Sequence, residues 1–134
     1  MRPRYLFDVN ALVGLLWNVH SLHARAHAWF VREKPAVLGC AFTELSFLRV
    51  SMADKTIAAS FADASHVLGE FTSSLGPRYQ FIERLPPASI LESQPIFSQK
   101  QVSDSYLCEL AKVHDVRLAT LDTGIKHPQV LLIA

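Results

Sequence analysis

Short apolar runs alternate along this chain with longer stretches in which apolar residues recur every three or four positions. Residues 4–7, 36–39, 79–82, 117–121 and 130–133 have the length and composition of buried strands. Between them lie helical patterns. Residues 11–17 form a short one, and residues 21–33 place Leu22, Ala26, Trp29 and Phe30 on one face before Pro35 stops the helix. The helix beginning at Ala41 puts Ala41, Glu44, Leu45 and Leu48 on one predicted core-facing stripe. Thr56 is placed to cap a long helix ending at Leu75, with Ile57, Phe61, Ala64, Leu68, Phe71 and Leu75 as its apolar face and Gly76-Pro77 as its stop. Residues 86–98 read as loop or short helix, and residues 103–114 as a last helix. Strands separated by helices predict βαβ units: an α/β fold, a three-layer α/β/α sandwich on a mostly parallel sheet. No linker, repeat or shift in composition divides the chain, so residues 1–134 are expected to form a single domain.

Four acids stand out against that frame. Asp8 ends the first strand and Asp122 the fourth, and ligands on parallel sheets bind beyond the carboxyl ends of strands. Glu44 falls in a predicted buried stripe, where an unpaired carboxylate is costly. Asp104 shares a helix face with Leu107, Cys108 and Ala111, and is expected in the first turn, where free N–H groups favour the ionised form. Taken alone, each has an ordinary explanation: a cap, a turn, or a pairing of Glu44 with Arg49. The remaining acids lie on polar faces or in loops. If the four meet at one edge of the sheet they repel one another and require a cation, which points to Mg²⁺ or Mn²⁺ and to phosphate-ester chemistry.

Composition narrows this picture without redirecting it. Half of the 134 residues are hydrophobic and 19% are charged, as in a globular chain. The net charge of +1 carries no polybasic footprint for nucleic acid, although a surface that surrounds an acidic site must carry the balancing cations. The apolar runs are too short to span a bilayer, and Asp8 and Asn10 break the one that could have served as a leader, so a cytoplasmic protein is expected. Cys40 and Cys108 lack the spacing of a metal or redox motif and read as core thiols.

The segments that carry the acids resemble a known family. Asp8-Val9-Asn10 after a first strand is similar to the opening motif of PIN-domain nucleases. Thr43-Glu44-Leu45-Ser46-Phe47-Leu48-Arg49 resembles their glutamate-bearing helix, Ser103-Asp104-Ser105-Tyr106-Leu107 their third acidic motif, and Leu118-Ala119-Thr120-Leu121-Asp122-Thr123-Gly124 their fourth. Order and spacing are similar to VapC-type toxins of type II toxin–antitoxin pairs over essentially the whole chain. Ile125 departs from the Phe often found there. The resemblance implies a Mg²⁺- or Mn²⁺-dependent endoribonuclease that leaves 5′-phosphate and 3′-hydroxyl ends. It implies Asp8, Glu44, Asp104 and Asp122 as the catalytic acids and metal ligands. Asp8 and Asp104 would bind directly, Glu44 directly or through water, and Asp122 at a second metal or the outer shell. Asn10, Thr120 and Thr123 would support them. It also implies an RNA substrate, a VapB-type antitoxin as partner, and a homodimer.

Other readings stay open. A catalytically silent PIN-like interaction module would have lost an acid, and all four are present. An Asp-dependent phosphoryl-transfer domain would carry a second Asp two residues after Asp8, where this chain has Asn10. His20, His23 and His27 invite a zinc reading, but residue 24 is Ala where an HExxH motif needs Glu, so they read as a solvated or packing face. Arg25, Arg32, Arg49, Arg78, Arg117 and Lys126 are the candidate phosphate contacts, Arg49 and Lys126 foremost because they adjoin acidic motifs.

Overall fold

A computed structural model describes residues 2–134. In chain order the elements are β1 (Arg4–Phe7), α1 (Val9–Leu16), α2 (His23–Glu33), β2 (Ala36–Cys40), α3 (Ala41–Ala53), α4 (Phe61–Leu75), β3 (Tyr79–Ile82), α5 (Gln99–Val113), β4 (Arg117–Thr120) and β5 (Val130–Leu132). The strands form one sheet in the order β3-β2-β1-β4-β5, and every pairing is parallel.

Strand alternation sorts the side chains into two cores. Leu6, Leu38 and Leu118 stand in register across three neighbouring strands and pack with Leu107, Leu110 and Ala111 of α5. Phe7, Val37 and Ala119 face the other way, into a larger core with Trp29, Phe47 and Phe71 from α2, α3 and α4. Full burial of each of these leucines contributes about 1.5–3 kcal/mol. The result is the expected three-layer α/β/α sandwich, with α1–α4 over one face and α5 over the other. No helix among the described residues is long and apolar enough to cross a membrane.

Three helices differ from the pattern read in the sequence. In α3 the buried residues are Thr43, Ser46, Phe47 and Ser51, whereas Leu45 is 60% exposed and Glu44 sits at the edge of the buried face. Two of these hydroxyl side chains face the core with a backbone partner. Thr43 Oγ1 exchanges hydrogen bonds with the Cys40 backbone, and Ser51 Oγ donates to Phe47 O. Helix α4 starts at Phe61 behind the N-cap Ser60, not near Thr56, because Asp54 Oδ1 accepts from Thr56 N, Thr56 Oγ1 and Ile57 N and folds that segment into a turn. Helix α5 starts at Gln99, capped by Ser98 with Gln101 reaching back to it. Asp104 therefore lies in the second turn rather than the first, beyond the reach of the terminal N–H groups.

The topology determines where chemistry can collect. From β1 the chain builds outward through β2 to β3, then returns through α5 to place β4 on the other side of β1. The strand order reverses between β1 and β4, and the carboxyl end of that pair is where parallel sheets open a crevice.

Candidate active site

Asp8 follows β1 directly and Asp122 lies two residues past β4, so they flank this crevice, and α5 brings Asp104 over it. All three line one cavity of about 260 Å³, together with Asn10, His20, Asp54 and Lys100. Asp8 is held most firmly. Its backbone N–H donates to Ala119 O across the β1–β4 seam at 2.9 Å. Its Oδ1 caps α1 by accepting from Val9 N at 2.8 Å, and its Oδ2 accepts from Thr120 Oγ1 at 2.8 Å. Thr120 is fully buried, and its hydroxyl also accepts from Asp122 N at 3.0 Å. Asn10 fastens the same seam from α1, its Oδ1 accepting from Leu121 N at 3.0 Å. One hydroxyl and one amide thus set the spacing of the two strand-end acids. Thr123 is exposed in the following turn, where Gly124 N donates to Asp122 Oδ1 at 2.7 Å.

The acids are electrostatically unequal. Burial pushes Asp8 above the ordinary aspartate value; the hydrogen bonds from Thr120 and Val9 oppose this, and the charges of Asp104 and Asp122 add to it. Asp104 is also raised, first by burial and then by Asp122, with Lys100 opposing. Asp122 is lowered, chiefly because Lys100 Nζ donates to its Oδ2 at 2.6 Å, and also by the Gly124 N–H. Burial and the nearby Asp8 and Asp104 charges push the Cys108 thiol up to about 12, so it is an inert core group.

Glu44 does not join the other three. It lies in the first turn of α3, at the same edge of the sheet, but its Oε2 accepts from Tyr79 Oη at 2.6 Å and it does not line the cavity. The bond requires Gly39: Tyr79 leans so closely over β2 that a Cβ at residue 39 would fall 2.2 Å from Tyr79 Oη. Burial and then Glu44 push the Tyr79 phenol well above its usual value, so it stays a donor.

Lys100, which the sequence does not advertise, is the one Lys or Arg lining the cavity. Asp54, equally unmarked, also lines it, with its Oδ1 already engaged by Thr56 and Ile57; His20, one of the three histidines of the zinc reading, lines it too. The signal for Lys100 was its spacing, four residues before Asp104 and so on the same helical face. His23 and His27 lie outside this cavity, and His23 is tied through Nδ1 to Gly14 O at 2.9 Å. Three of the candidate phosphate contacts are otherwise engaged: Arg78 on Pro35 O, Arg117 on Val130 O, and Arg32 beside Glu33. Lys126 borders a smaller cavity that shares Asp104.

The donor set suits a hard divalent cation: carboxylate oxygens, with no thiolate or imidazole ligand pair. Among the described residues no group of three or more His, Cys, Asp or Glu is gathered closely enough to hold an ion. Mg²⁺ keeps several of its waters and needs only one or two carboxylates. Asp8 and Asp104 line the same cavity, each raised in pKa first by burial.

No family model matches the chain. Curated relatives do. It is 38% identical over 127 residues to Ribonuclease VapC38 of Mycobacterium tuberculosis, covering 90% of this chain and 86% of the relative. It is 33% identical over 125 residues to Ribonuclease VapC44 of the same organism and 30% identical over 122 residues to its Ribonuclease VapC29, in each case over 91% of this chain and 88% of the relative.

Proposed function

Because the chain belongs to the VapC family of PIN-domain ribonuclease toxins, we propose that its cleavage site is the cavity at the β1–β4 seam, with Asp8 and Asp104 as the direct ligands of one Mg²⁺ or Mn²⁺. Asp122 stands in the outer shell and Glu44 acts from beyond it through water. Thr120 and Asn10 hold the strand-end acids, with Thr123 in the turn beside them. The observation that carries this reading is that two carboxylates from different elements, Asp8 and Asp104, line one cavity and are both raised in pKa, first by burial.

Bound there, the ion would supply Lewis acidity toward an RNA phosphodiester and a water of lowered pKa. The side chains have separate tasks. Asp8, fixed by Val9 N–H and Thr120 Oγ1, provides an oriented carboxylate. Asp104, less buried and on a different element, faces it across the cavity. Glu44, aimed by the Tyr79 hydroxyl, is placed at this edge to accept a proton from water. A VapB-type antitoxin is the partner that family membership implies, and its docking on this chain as a homodimer belongs to the same proposal.

The test is cleavage of RNA by purified protein. Asp8→Asn and Asp104→Asn should each abolish it while leaving a folded domain. EDTA should stop the wild type and Mg²⁺ or Mn²⁺ restore it. Cleavage retained by both variants, or undiminished in chelator, would overturn the assignment.

A further inference from the structure

Four acids, Asp8, Asp54, Asp104 and Asp122, and one lysine line this cavity. Lys100 is the second residue of α5, one helical turn before Asp104, and its ammonium reaches across to the loop after β4, 2.6 Å from Asp122 Oδ2. Asp122 first, and then Asp104 and Asp8, favour its charged form. With Lys100 counted, Asp8, Asp104 and Asp122 leave two negative charges unmatched, the charge of one divalent ion. Asp54 lies on the far rim, and its charge is not among the influences on Asp8.

We propose that Lys100 serves as the built-in second cation of this site: its ammonium occupies Asp122 and disfavours a second divalent ion beside the one held by Asp8 and Asp104. The inference rests on the metal-dependent reading of the same cavity. Lys100 is a positioning residue here, acting through Asp122. Two-ion phosphodiesterases need carboxylates on both sides of the scissile phosphate. In this chain the far carboxylate is already neutralised by an amine. A divalent ion arriving at Asp122 would have to displace that amine and then stay near whatever position it took up. The side chain of Lys100 is 69% exposed and that of Asp122 only 20%. The lysine can therefore leave, but Asp122 cannot easily reorient to serve another site. An exposed pair of this kind is worth no more than about a fivefold bias. It weakens a second ion at Asp122 by that factor and is too little to compete at the Asp8–Asp104 pair.

Titrating the full chain, free of RNA, with Mn²⁺ tests this by calorimetry, with free Mn²⁺ read independently by paramagnetic resonance. The wild type should bind one ion per chain tightly, and Asp8→Asn should remove it. Lys100→Met, which keeps the stem and deletes the charge, should bind a second ion about fivefold more tightly than the wild type does, and adding Asp122→Asn to that variant should remove that ion. Lys100→Arg should behave as wild type, and Lys100→Gln substitutes for Lys100→Met if the latter does not fold. A Lys100→Met protein that binds the same number of ions with unchanged affinity overturns the role of Lys100 and leaves the metal site standing. Failure of the wild type to bind Mn²⁺, or binding indifferent to Asp8→Asn, overturns the metal reading and the inference with it.

Discussion

Replacing Thr120 by Val deletes one hydroxyl from the seam of the sheet and leaves the side chain's shape nearly unchanged. That hydroxyl is fully buried, donates to Asp8 Oδ2 at 2.8 Å and accepts from Asp122 N at 3.0 Å. A hydrogen bond to an ionised group contributes about 1.5–3 kcal/mol to stability. At roughly 2.1 cal/mol/K of unfolding entropy per residue, a 134-residue chain should lose about 5–11 °C of melting temperature. The loss should also depend on pH. Asp8 is raised in the folded state, so its contribution is full below the ordinary aspartate value of 3.8 and falls away as pH rises through the raised value. Thr120 is the larger of the two hydrogen-bond influences that hold this rise down. Without it the folded-state pKa climbs further, and the variant loses more stability than the wild type as Asp8 ionises. On acidification Asp8 becomes neutral and the deficit shrinks toward about 1 kcal/mol, the worth of an uncharged hydrogen bond. Thermal unfolding followed by circular dichroism in chelator, from about pH 8 to about pH 4, reads both effects. A drop under about 2 °C at neutral pH, or one of equal size at every pH, would refute the reasoning.

Saturating Mg²⁺ or Mn²⁺ should raise the wild-type melting temperature by roughly 10 °C at a hundredfold excess over the dissociation constant; Asp8→Asn should abolish the shift, and a shift that survives in that variant rules out Asp8 as a ligand. Tyr79→Phe removes the donor to Glu44 and should cost about 1–2 kcal/mol, with unaltered unfolding arguing that the pair does not form in solution. Gly39→Ala forces the Tyr79 ring aside and should cost about 1–3 kcal/mol. In a Tyr79→Ala background the same change should cost measurably less, and strict additivity in that double-mutant cycle would show that the ring is not what Gly39 accommodates.

All five strands and the direction of the sheet were legible in the sequence because four- and five-residue apolar runs between helical periods admit few other readings. Asp8 and Asp122 were legible for the same reason: they are the first charges after such runs. The helix starts were missed where a second signal competed. Ser98-x-x-Gln101 is a capping box, but it sits in a proline-rich stretch that reads as loop. Ser60-x-x-Asp63 marks the start of α4, but Thr56 offers an earlier cap that Asp54 consumes. Glu44 was misplaced because α3 has apolar residues on every side and buries its hydroxyls instead of Leu45. Neither the Tyr79 contact, formed between residues 35 apart, nor the Lys100 contact, formed between residues 22 apart, leaves a trace in local periodicity. The first depends on a missing Cβ and the second on a helix that begins four residues earlier than its pattern.

The bond between Thr120 and Asp8 joins residues 112 positions apart, and β1, which carries Asp8, acquires β4 as its second neighbour only after three strands and five helices have been made. Synthesis at about 5–20 residues per second separates the two partners by roughly 6–22 s. Through that interval a growing chain can pair β1 with β2 and β2 with β3, but its first acid lacks the hydroxyl that orients it and the Asp122 that follows. If RNA is cut at this seam, as proposed, the site is absent while most of the chain is still being translated. Chains released before Thr120 would lack both the seam and that site.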